Sequence, residues 1–140
     1  MAVAKPVSID PDQIIGAWKS LTYDFYKDFK HLTQPVGPGP LERILFLHTD
    51  YRNCMCTRPQ CIQPIKVAEW GHASDEDIVR VARGMTTYSG SYMFYDEKGQ
   101  PMLRTDVDIA LGPNWIGSVQ IRTMKFCEEN DRKYLTSKPM

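Results

Sequence analysis

Ser89-Gly90-Ser91-Tyr92-Met93-Phe94-Tyr95 runs into Asp96-Glu97-Lys98-Gly99, and a second alternating run over 101–110 leads to Pro113-Asn114-Trp115-Ile116-Gly117-Ser118-Val119-Gln120-Ile121-Arg122. Side chains of contrasting polarity repeat every second residue through each run, which is the period of a strand with two unlike faces. The Asp-Glu-Lys-Gly tetrad is turn chemistry, because glycine accepts a positive φ without steric penalty. The spacing predicts strands over 88–95, 101–110 and 117–126, with a short fourth piece over 132–136.

Upstream, Asp10-Pro11-Asp12-Gln13 predicts a short helical turn with Asp10 as cap and Pro11 at the first helical position. Residues 17–26 read as a strand, 27–40 as an irregular loop rich in Pro and Gly, and 41–48 as a second strand. Thr49-Asp50-Tyr51-Arg52 reads as a turn, and 53–58 as the returning strand. Ser74-Asp75-Glu76-Asp77 starts a helix running to about residue 85, with acids placed against the positive end of the helix dipole. Six or seven antiparallel strands with one helix have a natural solution in a mostly β, curled barrel capped by that helix. The whole of 1–140 is expected to be one domain, with 1–9 as a loose arm.

Bulk properties narrow the function. The chain carries 17 basic and 17 acidic residues, so nothing draws it globally to nucleic acid or anionic lipid. No apolar run approaches the roughly 20 residues that span a bilayer. The N-terminal Met-Ala-Val-Ala-Lys-Pro lacks the apolar centre of a signal peptide, which points to the cytosol. There Cys54, Cys56, Cys61 and Cys127 are expected as thiols. Their spacing, Cys-x-Cys-x4-Cys, is irregular for structural zinc, and no metal site is expected. Cys54 and Cys56, two apart on a strand, read as small side chains facing one way. Phosphate loops, nucleophile elbows and His-Glu-x-x-His motifs are absent, and no cofactor is expected.

Four motifs in order carry a resemblance: Gly16-Ala17-Trp18, Leu45-Phe46-Leu47-His48-Thr49-Asp50, Tyr88-Ser89-Gly90-Ser91-Tyr92, and Pro113-Asn114-Trp115-Ile116-Gly117 with Gln120-x-Arg122. In these the chain resembles the lipocalin-like domain family, small cytosolic barrels of bacteria and fungi, over about residues 14–139. The resemblance implies a barrel that binds small, mostly apolar molecules; some fungal relatives look like cofactor-free cyclases or isomerases. Two features depart from it. Tyr51-Arg52 stand where a Gly is usual near Asp50, and the chain ends where a closing strand is usual. The barrel would then be open, closed by the N-terminal arm, or closed by a partner chain, and an exposed edge suggests a homo-oligomer.

Candidate chemistry concentrates on the last two long strands. Arg104, Asp106 and Asp108 alternate onto one face, and Ser118, Gln120 and Arg122 alternate on the next strand. A hairpin folded about Asn114 would set Asp108 opposite Gln120 and Asp106 opposite Arg122. Alternation alone turns this row to water, with Thr105, Val107, Ile109, Val119 and Ile121 lining the core. Turned inward, the row would give Asp106 as acid or base, Arg122 as its partner, and Tyr92 and Gln120 as hydrogen-bond donors. Tyr88, Trp115 and Trp18 could wall a pocket, and His48 could reach one from the rim. Two functions stay open: a cofactor-free isomerase or cyclase of a small apolar biosynthetic intermediate, and a carrier that binds such a compound unchanged. An inward charged row favours the first, and an apolar cup the second. A cone-shaped α+β fold of the nuclear-transport-factor type ranks behind both, because long opening helices are lacking.

Overall fold

A computed structural model describes residues 10–20, 25–27, 30–33 and 39–139. After helix α1 (Pro11–Ile14) come strands β1 (Gly16–Lys19), β2 (Phe25–Lys27), β3 (Lys30–Thr33), β4 (Leu41–Phe46) and β5 (Tyr51–Thr57). Helix α2 (Asp75–Arg83) precedes β6 (Met85–Glu97), β7 (Gln100–Ala110), β8 (Val119–Glu129) and β9 (Arg132–Pro139). Seven strands join in one antiparallel sheet in the order β1-β4-β5-β6-β7-β8-β9, while β2 and β3 pair separately. The fold is therefore mostly β, as alternation and turn chemistry predicted.

Two hairpins fix the C-terminal strands. Lys98 and Gly99 both have positive φ (50° and 82°), as do Asn130 and Asp131 (52° and 61°). Two successive positive φ values make a turn whose twist matches that of the flanking strands. The second hairpin aligns β8 and β9 from Glu129↔Arg132 to Arg122↔Pro139, so the final strand is longer than the short piece expected. Two other boundaries differ from expectation. The loop expected over 27–40 contains β3, and the strand expected over 17–26 breaks, with β1 ending at Lys19 and 21–24 outside the described residues. Asp50 alone takes the positive φ (61°) at the β4–β5 turn, and Leu47 N–H donates to the Tyr51 carbonyl. Tyr51 and Arg52 thus belong to the strand rather than to the turn.

The chain divides into two compact units. The first comprises the described residues of Met1–Gly16, Phe46–Arg52 and Ser89–Met140. Ile14, Phe46, Tyr92, Met102, Leu103, Val107 and Met124 are its buried apolar residues. Asp10 caps α1 through Oδ1, which accepts from Asp12 N–H at 3.0 Å, and the turn delivers Ile14 fully buried. Strands β6 and β7 approach closely at Gly90, where a Cβ would lie 2.7 Å from the Asp106 carbonyl carbon and 3.0 Å from Val107 Cα.

The second unit holds Ala17–Leu45 and Asn53–Tyr88 in their described parts. Ser74 caps α2 as expected, its hydroxyl accepting from Asp77 N–H at 3.2 Å. Ile78, Val81 and Ala82 are half-buried. Two side chains tie the helix to the segment before it. Asp77 accepts from Lys66 N–H at 3.1 Å, and Arg80 donates to the carbonyls of Cys61 and Gln63 at 2.9 and 3.1 Å. The Lys66 hydrogen bond holds the Asp77 carboxyl below its ordinary range, with Arg80 adding to it against the opposing effect of burial.

Gly90→Ala should lower stability by about 1–3 kcal/mol, because backbone rather than a movable side chain meets the new methyl. The urea midpoint should fall with little change in slope. Asp77 stabilises the fold above its unfolded value of about 3.9, and that contribution disappears as pH drops through the depressed folded value. The urea midpoint of Asp77→Asn should therefore fall less steeply than that of the native chain between about pH 5 and about pH 2.

Candidate functional site

The pairing of β7 with β8 decides which side chains share a face in the first unit. Leu103 stands opposite Arg122, Arg104 opposite Ile121, Thr105 opposite Gln120 and Asp106 opposite Val119. The hairpin folded about Asn114 would have matched Asp106 with Arg122, and the observed partner of Arg122 is three residues away. An odd shift exchanges faces. Asp106 and Arg122 therefore point to opposite sides of the sheet, and the Asp106–Arg122 and Asp108–Gln120 matches are both corrected. The cause lies in the connection. Pro113–Trp115 forms a 3-10 turn, and Gly117 has φ 84°. Gly117 N–H donates to the Val107 carbonyl at 2.8 Å, and Val107 N–H donates to the Ser118 carbonyl at 3.0 Å. The link is thus a compact coil that offsets the strands by an odd number.

On one face, β5 presents Arg52, β7 presents Leu103, Thr105 and Val107, and β8 presents Gln120, Arg122 and Met124. Arg52 is 3% exposed, and its Nη1 donates to Thr105 Oγ1 at 2.9 Å. A guanidinium stays charged at any ordinary pH, so its burial needs strong local compensation. Thr105, itself wholly buried, supplies part of it. The Phe46 ring supplies another part, with its centroid 5.2 Å from the guanidinium carbon. Phe46, Tyr92 and Phe94 form an aromatic triangle with centroids 5.1–5.8 Å apart. The buried row of β6 reads Tyr88, Gly90, Tyr92, and at Gly90 the β7 backbone takes the place a side chain would fill. Tyr92 Oη donates to the Leu47 carbonyl at 2.7 Å. Burial pushes this phenol above its usual pKa, and Asp50 adds to the shift against the pull of Arg52.

Two buried polar atoms complete this face. Arg122 Nε and Gln120 Oε1 have no hydrogen-bond partner among the described residues. Buried polar atoms in native proteins are nearly always satisfied, by protein groups or by ordered water.

The opposite face carries the charged row of β7. Arg104 grips Asp106 two residues along the same strand, from Nε at 3.1 Å and Nη2 at 3.0 Å. These bonds hold the Asp106 carboxyl below its ordinary pKa, and the two side chains remain 42% and 49% exposed. Asp108 accepts from Tyr51 Oη at 2.7 Å, which raises the Tyr51 pKa. On β7 the simpler expectation describes Thr105 and Val107, which are buried, but not Ile109, which is 61% exposed, and on β8 it fails, because Val119 and Ile121 stand opposite Asp106 and Arg104 on the charged face.

Among the expected site residues, Tyr92, Gln120 and Arg122 come together on the buried face. Arg104, Asp106 and Asp108 lie on the other. His48 and Trp115 are exposed at turns of the first unit, whereas half-buried Trp18 and buried Tyr88 belong to the second. Arg52 and Thr105 were not among the expected site residues. The signal for Arg52 was Arg52-x-Cys54-x-Cys56, one unbroken buried row obscured by assigning Arg52 to the turn.

In the second unit, Cys54 Sγ lies 3.7 Å from Glu42 Oε2, and burial pushes the Cys56 thiol up to about 12. No cluster of three His, Cys, Asp or Glu side chains suited to a metal occurs among the described residues. A surface groove of about 80 Å³ between Pro11, Phe94, Tyr95, Asp96 and Pro101 falls well short of the roughly 300 Å³ at which ligand pockets begin.

An antiparallel sheet whose buried face carries aromatics and a few polar groups is the architecture of a small-molecule-binding domain. Residues 15–139 match the lipocalin-like domain family, and the chain belongs to it. No curated protein and no solved structure matches the chain. No helix among the described residues is long and apolar enough to cross a membrane.

Thr105→Val removes the hydroxyl that accepts from buried Arg52 and should cost about 1–3 kcal/mol of stability. Asp106→Asn, which loosens an exposed pair, should leave the urea midpoint unchanged within error. Equal loss in both would mean that the two faces are alike in burial.

Proposed function

We propose that this protein is a carrier that binds a small, mostly apolar molecule against the buried face of β5–β8 and releases it unchanged. One observation supports this above all. The polar groups on that face are hydrogen-bonding and cationic, whereas the β7 carboxylates that acid–base chemistry would use are engaged with Arg104 and Tyr51 on the other face. Phe46, Tyr92 and Phe94 would supply apolar contact, and Gln120 and Arg122 would orient the ligand. Work in the cytosol and pairing of copies belong to the same proposal. Strand β9 ends the strand order, and such an edge favours association.

Cofactor-free isomerisation is the second reading. A guanidinium and the Tyr92 phenol on one face could polarise a carbonyl or steady a developing oxyanion. It needs a base on that face that Asp106 does not provide.

The neutral dye N-phenyl-1-naphthylamine should bind saturably at one per chain, and Phe46→Leu should weaken it several-fold through lost aromatic contact. Absence of saturable binding would overturn the carrier proposal. A co-purifying compound that fresh protein converts into an isomer would favour the enzyme instead.

A further inference from the structure

We propose that the ligand carries a single carboxylate, held by Arg122 and Gln120 on the buried face of β8 within the positive field of Arg52. The inference rests on the carrier proposal above and specifies the head group of what is carried.

Three observations lead to it. First, Arg122 Nε is buried without a hydrogen-bond partner, and Arg122 makes no ion pair among the described residues. A fixed cation in such surroundings calls for an anion, and the flat edge of a guanidinium matches the two oxygens of a carboxylate. Second, Gln120 is two residues away on the same face, with its Oε1 equally buried and unsatisfied. A half-turn of this amide presents its N–H2 to the same anion, so one carboxylate would satisfy both side chains. Third, Thr105 stands directly opposite Gln120 and receives Arg52 Nη1 at 2.9 Å. Arg52 therefore adds a second positive charge at the adjoining rung, while Asp106 and Asp108 stand on the far face. Leu103, paired opposite Arg122, and Met124, two residues along β8, are apolar and buried. They suit a hydrocarbon body behind the carboxylate and disfavour a small, fully hydrated inorganic anion.

The test is displacement of N-phenyl-1-naphthylamine by decanoate and by methyl decanoate, which share a chain and differ in charge. On the native protein, decanoate should displace the dye at a concentration at least about tenfold lower than its ester, the discrimination expected of a charge-assisted hydrogen bond. Arg122→Gln should erase that preference while still binding the dye, and Arg122→Lys should restore part of it. Arg104→Gln, on the opposite face, should leave it intact. Equal displacement by acid and ester with the dye bound normally would overturn the head-group proposal and leave the carrier proposal standing. Displacement of decanoate by millimolar inorganic phosphate would likewise overturn it, in favour of a general anion site. Failure of the dye, the acid and the ester to bind at all would overturn both proposals. The native-protein comparison needs no variant, so a poorly folding substitution cannot obscure the outcome.

Discussion

A buried guanidinium organises the first unit. Arg52 lies among apolar side chains, donates to Thr105 two strands away in the sheet order, and rests on the face of Phe46. An isolated charge in such a place would be prohibitive, so the neighbouring strands must be arranged around it. Gly90 lets the β7 backbone come close, Thr105 supplies the acceptor, and Phe46 is held in turn by Tyr92, whose phenol reaches the Leu47 carbonyl. Each of these residues makes sense as part of one arrangement and less sense alone.

The same arrangement explains why binding chemistry falls on one side of the sheet. Strand geometry allows two faces, and an odd offset at the β7–β8 connection sends Arg122 and Gln120 to the face of Thr105 and leaves Asp106 with Arg104. Arg122 is thereby kept apart from the carboxylates of β7. The interior row is cationic, and the exterior row of β7 neutralises itself.

Much of the fold was legible because it depends on local rules. Alternation located β6, β7 and β8, Ser74 with three acids located α2, and Asp10-Pro11 located α1. The site was harder because it depends on register, which is not local. The Pro113–Trp115 turn and Gly117 shift the register by three residues from a hairpin centred on Asn114, and no count about Asn114 could reveal that. Arg52 was hidden by the weak turn signal of Asp50, a residue that takes a positive φ without being glycine. Strand β3 was missed for a related reason, since the Pro- and Gly-rich segment over 27–40 reads as loop although it holds this short strand.

The distribution of thiols has a practical side. Cys54 and Cys56 are buried, and Cys56 is held protonated far above neutral pH, whereas Cys127 is exposed on β8. Thiolates, not thiols, react with alkylating reagents. A maleimide fluorophore should therefore attach to Cys127 in preference to either buried cysteine. Cys127 sits five residues along the strand from Arg122 and, by strand alternation, on the opposite face. The native chain thus offers an attachment point for an optical reporter close to the proposed head-group site, without an engineered cysteine.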